Sequence, residues 1–170
     1  MTIASEIITA SGNRNRSRDW YRNALMEVLG NYQGPEYDDP GEFGNVSGSV
    51  EVGEMYFFGY IATKPERLHH YDQFPIVYVM KATSDGFLGA NLHYIPVKLR
   101  QSVALSFLNS GGGVSVPNKT IHRYYFSGIQ TDIMRVPESE MAEVSILPTA
   151  KFVETSSGVD YPDYRVWRAK

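Results

Sequence analysis

The stretch Leu68–Arg100, LHHYDQFPIVYVMKATSDGFLGANLHYIPVKLR, leaves this chain little freedom in how it folds. Pro75 lacks the N–H of a sheet ladder, so it is tolerated only near the start or on the edge of a strand. The residues after it, Ile76-Val77-Tyr78-Val79-Met80, are β-branched, aromatic and almost continuously apolar. That pattern predicts a strand over Phe74–Lys81 that is buried on both faces or lines a barrel interior. Asp85-Gly86 is a turn dipeptide, and Phe87–Tyr94 returns as the next strand. Pro96 fits the first turn of a helix, where its missing N–H does no harm, and starts a helix over Val97–Leu108. Strand, turn, strand and helix in immediate succession describe the core of an α+β domain.

The flanks read less sharply. Residues 1–16 are small and polar and are expected to form an N-terminal arm. Ser17 can cap a helix through Trp20, Leu25 and Val28, with Gly30 just past its end. Trp20, Ala24 and Val28 are spaced to share one face of it. Residues 31–49, NYQGPEYDDPGEFGNVSGS, carry four glycines and two prolines, which argues for an extended surface loop. Val50–Ile61 is a further strand region. On the helix Val97–Leu108, Leu99, Val103 and Phe107 are expected to face the core, and Gly111-Gly112-Gly113 ends it. Lys119–Met134 can be helix or strand, since Tyr124-Tyr125-Phe126 suits either. Pro137-Glu138 begins a short helical turn, and Val144–Leu147 and Phe152–Val153 are expected as closing strands. Residues 17–155 therefore form one domain, with 156–170 as a C-terminal arm.

With 170 residues the chain has room for one cored domain. A net charge of −3 gives no global attraction to nucleic acid, so any DNA contact must come from a local patch. The absence of cysteine excludes disulfides, thiolate metal sites and cysteine nucleophiles. No signal peptide or membrane span is expected.

Candidate chemistry is sparse. His69, His70 and Asp72 contain metal-ligand and acid–base residue types, but neighbouring strand residues point to opposite faces and cannot converge on one ion. His93, beside Asn91 and Tyr94, reads as a buried, hydrogen-bonded residue. The acids Glu36, Asp38, Asp39 and Glu42 lack the ligand spacing of a calcium loop. Gly111–Gly113 lacks the Gly-Lys-Ser/Thr ending of a phosphate loop. No serine sits in a nucleophile-elbow pattern. No catalytic set, metal or cofactor is therefore assigned.

Basic residues interleaved with aromatics occur in three places: Arg14, Arg16, Arg18 and Arg22; Lys119 and Arg123 with Tyr124 and Tyr125; and Arg165 and Arg168 with Trp167. Such clusters hold phosphates and stack on bases, and they equally favour protein interfaces. The acidic whole tips the balance towards protein contact.

Three runs carry a resemblance: Gly53–Tyr60, Tyr71–Val77 with Asp72, Phe74 and Pro75, and Gly86-Phe87-Leu88-Gly89-Ala90-Asn91-Leu92-His93-Tyr94-Ile95-Pro96 followed by Leu99-Arg100. Together with Ile121–Tyr125, Pro137–Met141 and Ile146–Thr149, they resemble a family of small virion proteins of T4-like myophages and cyanophages. Members are described as structural virion proteins or as DNA end protectors. The chain departs from the pattern at Gly111–Pro117, which is short and glycine-rich where relatives carry a longer basic helical insert. The resemblance implies a virion component assembled in the host cytoplasm. Its partners would be other virion proteins in a symmetric assembly, or a double-stranded DNA end, with no membrane.

The expected fold is α+β, a small mostly antiparallel sheet or SH3-like barrel with two or three helices. The expected role is non-enzymatic, as a structural subunit at the tail, baseplate or head–tail junction. The alternatives are a DNA-end binding protein and a cell-wall or nucleic-acid hydrolase.

Overall fold

A computed structural model describes residues 3–12, 16–31, 50–62, 68–109, 116–131 and 133–169. The expected loop at 31–49, the glycine run at 111–113 and Arg14 lie outside the described residues, apart from Asn31 at the loop's edge. In chain order the elements are α1 (Ile3–Ala10), α2 (Arg18–Asn31), β1 (Met55–Phe57), β2 (His70–Asp72), β3 (Ile76–Thr83) and β4 (Gly86–Asn91). They continue with α3 (Val97–Asn109), β5 (Ile121–Tyr125), β6 (Met134–Val136), α4 (Met141–Ile146), β7 (Phe152–Glu154) and α5 (Asp163–Arg168). A five-stranded antiparallel sheet has the order β5-β4-β3-β1-β6, and β2 and β7 form a separate two-stranded ribbon. The fold is thus α+β with an open sheet, and it does not close into a barrel.

The sheet is buried on both faces, as the apolar run of β3 requires. Met55, Phe57, Ile76 and Tyr78 point to the side where α1 to α4 pack, meeting Ile7, Leu25, Phe107 and Met141. Their neighbours Tyr56, Phe58, Val77 and Val79 point to the other side, into an aromatic layer with Phe87 and Tyr124. The two-residue period of the strands therefore feeds two cores. Phe58 meets Phe87 and Tyr124 edge-on at 5.7 and 5.5 Å, geometry that the aromatic quadrupole favours.

The β3–β4 hairpin turns at Ser84-Asp85, and Gly86 is already the first residue of β4. A bulge in β3 at Met80 shifts the register between Val79↔Gly89 and Lys81↔Leu88. Gly86 is required by close approach: a Cβ there would lie 1.9 Å from the Tyr124 carbonyl oxygen.

Several expectations are corrected. The strand region Val50–Ile61 contracts to Met55–Phe57, and Lys119–Met134 contains the strand Ile121–Tyr125 between 3-10 turns. Val144–Leu147 is not a strand: Met141, Val144 and Ser145 are buried at helical spacing, and α4 packs on α3. Leu92-His93-Tyr94 leaves the sheet as a 3-10 turn because the Asn91 side chain accepts the His93 N–H. Gly30 falls inside α2, while Ser17 caps that helix through the Trp20 N–H at 3.1 Å. On α3, Leu99 is 46% exposed, and the buried face is Arg100, Ala104 and Phe107. Both segments expected as arms carry helices. Ile7 of α1 and Val166 of α5 are buried in the chain's own core.

Candidate functional site

Asp72 ends β2 in a fully enclosed position, where an ionised carboxylate needs several donors to remain charged. It has them. Its Oδ1 accepts the backbone N–H groups of Phe74 and Lys151 at 3.0 and 3.1 Å. Its Oδ2 accepts Asn91 Nδ2 at 3.0 Å and His93 Nδ1 at 2.6 Å. Burial alone would raise the acid, but the imidazole and these donors hold its carboxyl below the usual range. Burial also lowers His93, outweighing the pull of Asp72, and nearby Arg100 adds to the fall. His93 is therefore neutral, with the proton on Nδ1 because an ionised carboxylate can only accept. Its Nε2 is buried and has no hydrogen-bond partner among the described residues. Both side chains are sealed from solvent, so this pair orders the junction of β2, β4 and β7.

The His93 carbonyl carries the network outwards. It accepts Trp167 Nε1 at 3.0 Å and an Arg100 guanidinium N–H at 3.3 Å. Arg100 Nε also donates to the Ile95 carbonyl at 3.0 Å, and its guanidinium lies 5.7 Å from the Trp167 ring centre. Burial brings its pKa down to about 10, partly offset by Asp163 and Asp72, so it stays charged at neutral pH. Four rings line the same junction. Tyr161 stacks on His70 at 4.4 Å, His70 tilts against Tyr94 at 6.1 Å, and Tyr94 stacks on His122 at 4.0 Å. Of the residues that carry the resemblance, Asp72, Asn91, His93, Tyr94 and Arg100 lie together in this polar junction. Phe87 and Tyr71 pack in the aromatic layer, and Phe74 packs against the helical side. His69, His70 and Asp72 form no metal cluster among the described residues.

Two of the three basic clusters meet on the surface. Arg18, on the first turn of α2, pairs with Asp163 at the start of α5. Arg16 lies 5.5 Å over the Trp20 ring. Arg165 and Arg168 are exposed on α5, with Arg168 5.7 Å over the Tyr164 ring. Lys119 joins them from behind, donating to the Trp167 and Ala169 carbonyls at 2.5 and 3.5 Å. A cleft of about 310 Å³ runs beside the Arg18–Asp163 pair, lined by Arg22, Phe152 and Tyr161 with Asp19 and Asp160.

Not every candidate contact residue is available for contact. Arg22 donates to the Thr149 and Ala150 carbonyls and pairs with Asp19, so it fastens α2 to the segment before β7. Tyr124 is buried in the aromatic layer, which gives it a packing role. Arg123 pairs with Asp85 at 2.9 Å and lies 5.0 Å over Tyr125, apart from the other basic residues. Trp167 is half-buried and anchors α5. Sequence reasoning missed Asp163 and Tyr164. Their only sequence signal was their place between Pro162 and Arg165 in the tail.

The structure thus combines an open α+β sheet, a sealed polar junction and exposed arginines beside α5. The chain belongs to the phage T4 terminal DNA protecting protein family, which it matches over residues 5–116. It is therefore a bacteriophage protein. The match takes in α1 to α3, and with them Asp72, Asn91, His93 and Arg100; β5 to β7 and α5 lie beyond it. No curated protein and no solved structure matches the chain. Among the described residues no helix is long and apolar enough to cross a membrane.

Proposed function

We propose that this protein is a virion component that binds the ends of double-stranded DNA and does no chemistry on them. The Arg18–Asp163 pair carries the reading, because it sets the arginines at the start of α2 beside those of α5. Two clusters far apart in sequence become one basic face on an otherwise acidic protein. Arg16, Arg165 and Arg168 are exposed, and their guanidinium groups suit phosphate oxygens. The test is binding of a short blunt duplex across a salt series. Affinity should fall steeply with salt, and each phosphate-contacting arginine changed to alanine should reduce the log–log slope by about 0.9. Salt-independent binding, or none at low salt, rejects this function.

A second reading concerns the protein's place in the particle. Val97, Leu99, Leu105 and Leu108 of α3 and Ile146 of α4 leave apolar side chains exposed. These suit contacts with other virion proteins, in a symmetric assembly at the tail, baseplate or head–tail junction. Copy number and position in purified particles test it; a protein packaged with DNA at no fixed symmetric position contradicts it.

A further inference from the structure

We infer that Tyr164 is a stacking platform for the terminal base pair of a DNA end, and that it separates ends from internal duplex. The inference rests on the reading that this protein binds DNA ends. A duplex end differs from its interior in one large feature: the last base pair presents an open aromatic face. A protein that prefers ends therefore gains most by offering that face an exposed aromatic ring.

Among the described Tyr, Phe and Trp residues Tyr164 alone is exposed, at 52% of its surface, whereas the others are buried or half-buried. A ring left this open can offer its face to a flat aromatic partner. Its surroundings specify which partner. The guanidinium of Arg168, one helical turn on, lies 5.7 Å from its ring centre. A cation over one part of an aromatic surface extends it with a second planar group suited to stacking on bases. Helical geometry puts Tyr164, Arg168 and Arg165 on one contiguous arc, because Val166 is buried and Trp167 half-buried on the opposite side.

The platform is also held firmly. Trp167 Nε1 donates to the His93 carbonyl, Lys119 donates to the Trp167 carbonyl, and Asp163 pairs with Arg18. A six-residue helix fixed at three points presents its outer arc with little ordering cost on binding. The neighbouring Arg165, exposed on the same helix, supplies positive charge that phosphates beside the terminal pair require.

The experiment compares the full chain on a blunt-ended duplex and on a covalently closed minicircle of the same base sequence, with 2-aminopurine in the terminal pair of the linear form. Wild type should prefer the linear duplex and quench the terminal 2-aminopurine by stacking. Tyr164→Ala should lose about five- to a hundred-fold in affinity for the open end, in line with the range for base–aromatic stacking. It should keep the minicircle affinity and the salt slope. Tyr164→Phe should retain the preference and the quenching, which also shows that substitution here leaves the fold intact. If Tyr164→Ala keeps the preference and the quenching, the platform is overturned while end binding stands. If wild type binds linear and closed DNA alike, or neither, the end-binding function fails and the platform with it.

Discussion

The Asp72 carboxylate and the His93 imidazole meet at 2.6 Å in a position that water does not reach. Two segments of unlike character, the ribbon strand β2 and the 3-10 turn after β4, are thereby joined by one charge-assisted hydrogen bond. The pair is worth most as a constraint. Removing one partner leaves the other buried and unmatched. Asp72→Ala leaves the neutral His93 and Asn91 donors buried without an acceptor, and should destabilise the protein by about 1–3 kcal/mol or more. Urea unfolding monitored by tryptophan fluorescence measures this, and an unchanged midpoint would show that the carboxylate is dispensable.

Stability should also depend on pH in a definite direction. Burial lowers His70, His93 and His122 below the ordinary histidine value. Between that value and the folded one, only the unfolded chain takes up the proton. Stability is then complete above about pH 6.5 and falls beneath it, by up to about 1.4 kcal/mol per pH unit for the fully buried His93, with half-buried His70 and His122 contributing less. Asp72 adds a second loss at lower pH, since its folded value is depressed and its contribution vanishes as pH falls through that value. Unfolding midpoints at about pH 7.5 and about pH 5.5 check the first phase. His93→Gln should make it shallower, and a midpoint indifferent to pH in wild type would contradict the assignment.

Trp167 ties the C-terminal helix to the core through a single donor. Trp167→Phe keeps an aromatic ring but removes the pyrrole half of the indole, and with it the Nε1–H to the His93 carbonyl, which Arg100 still serves. The expected cost is about 1 kcal/mol. Amide exchange in Asp163–Arg168 should rise while that of β3 and β4 stays slow. Equal acceleration throughout would mean that α5 unfolds only with the whole domain.

At Gly86 the argument is purely steric. A methyl group 1.9 Å from the Tyr124 carbonyl oxygen cannot be relieved by a side-chain rotation, because backbone would have to move. Gly86→Ala should prise β4 from β5 and cost about 1–3 kcal/mol or more. A calorimetric midpoint equal to that of wild type would refute the close approach.

Arg100 tests how far shape matters beyond charge. Arg100→Lys keeps a cation but cannot reproduce the fork that serves the Ile95 and His93 carbonyls together. The expected loss is about 1–3 kcal/mol, read from chemical denaturation. Full stability in the lysine variant would assign the site to charge alone.

The hairpin and the start of α3 could be read from residues because local chemistry decides them. Pro75, Gly86 and Pro96 punctuate the chain, and the apolar run between them has nowhere to go but inside. The same logic fails wherever a polar group is buried. Arg100 faces inwards and Leu99 outwards because two carbonyls of the 3-10 turn need donors, a requirement set by tertiary structure. Val144 carries strand-like propensity yet sits in a helix, because α4 has an apolar surface of α3 to cover. Among the basic residues, sequence named the clusters but not their fates. Arg22 and Lys119 are spent on backbone carbonyls, and only the fold shows that Arg18 meets Asp163.

The pairing of β2 with β7 has a consequence for how the protein is made. Asp72 stands opposite Phe152, and the Trp167 that closes the network lies later still. The β3–β4 hairpin can form as soon as it leaves the ribosome, but the acid buried beside it waits for its enclosure until β7 and α5 have been made. A chain stopped before β7 would therefore carry a finished hairpin with an unenclosed carboxylate beside it, its partners Lys151 and Phe152 not yet made.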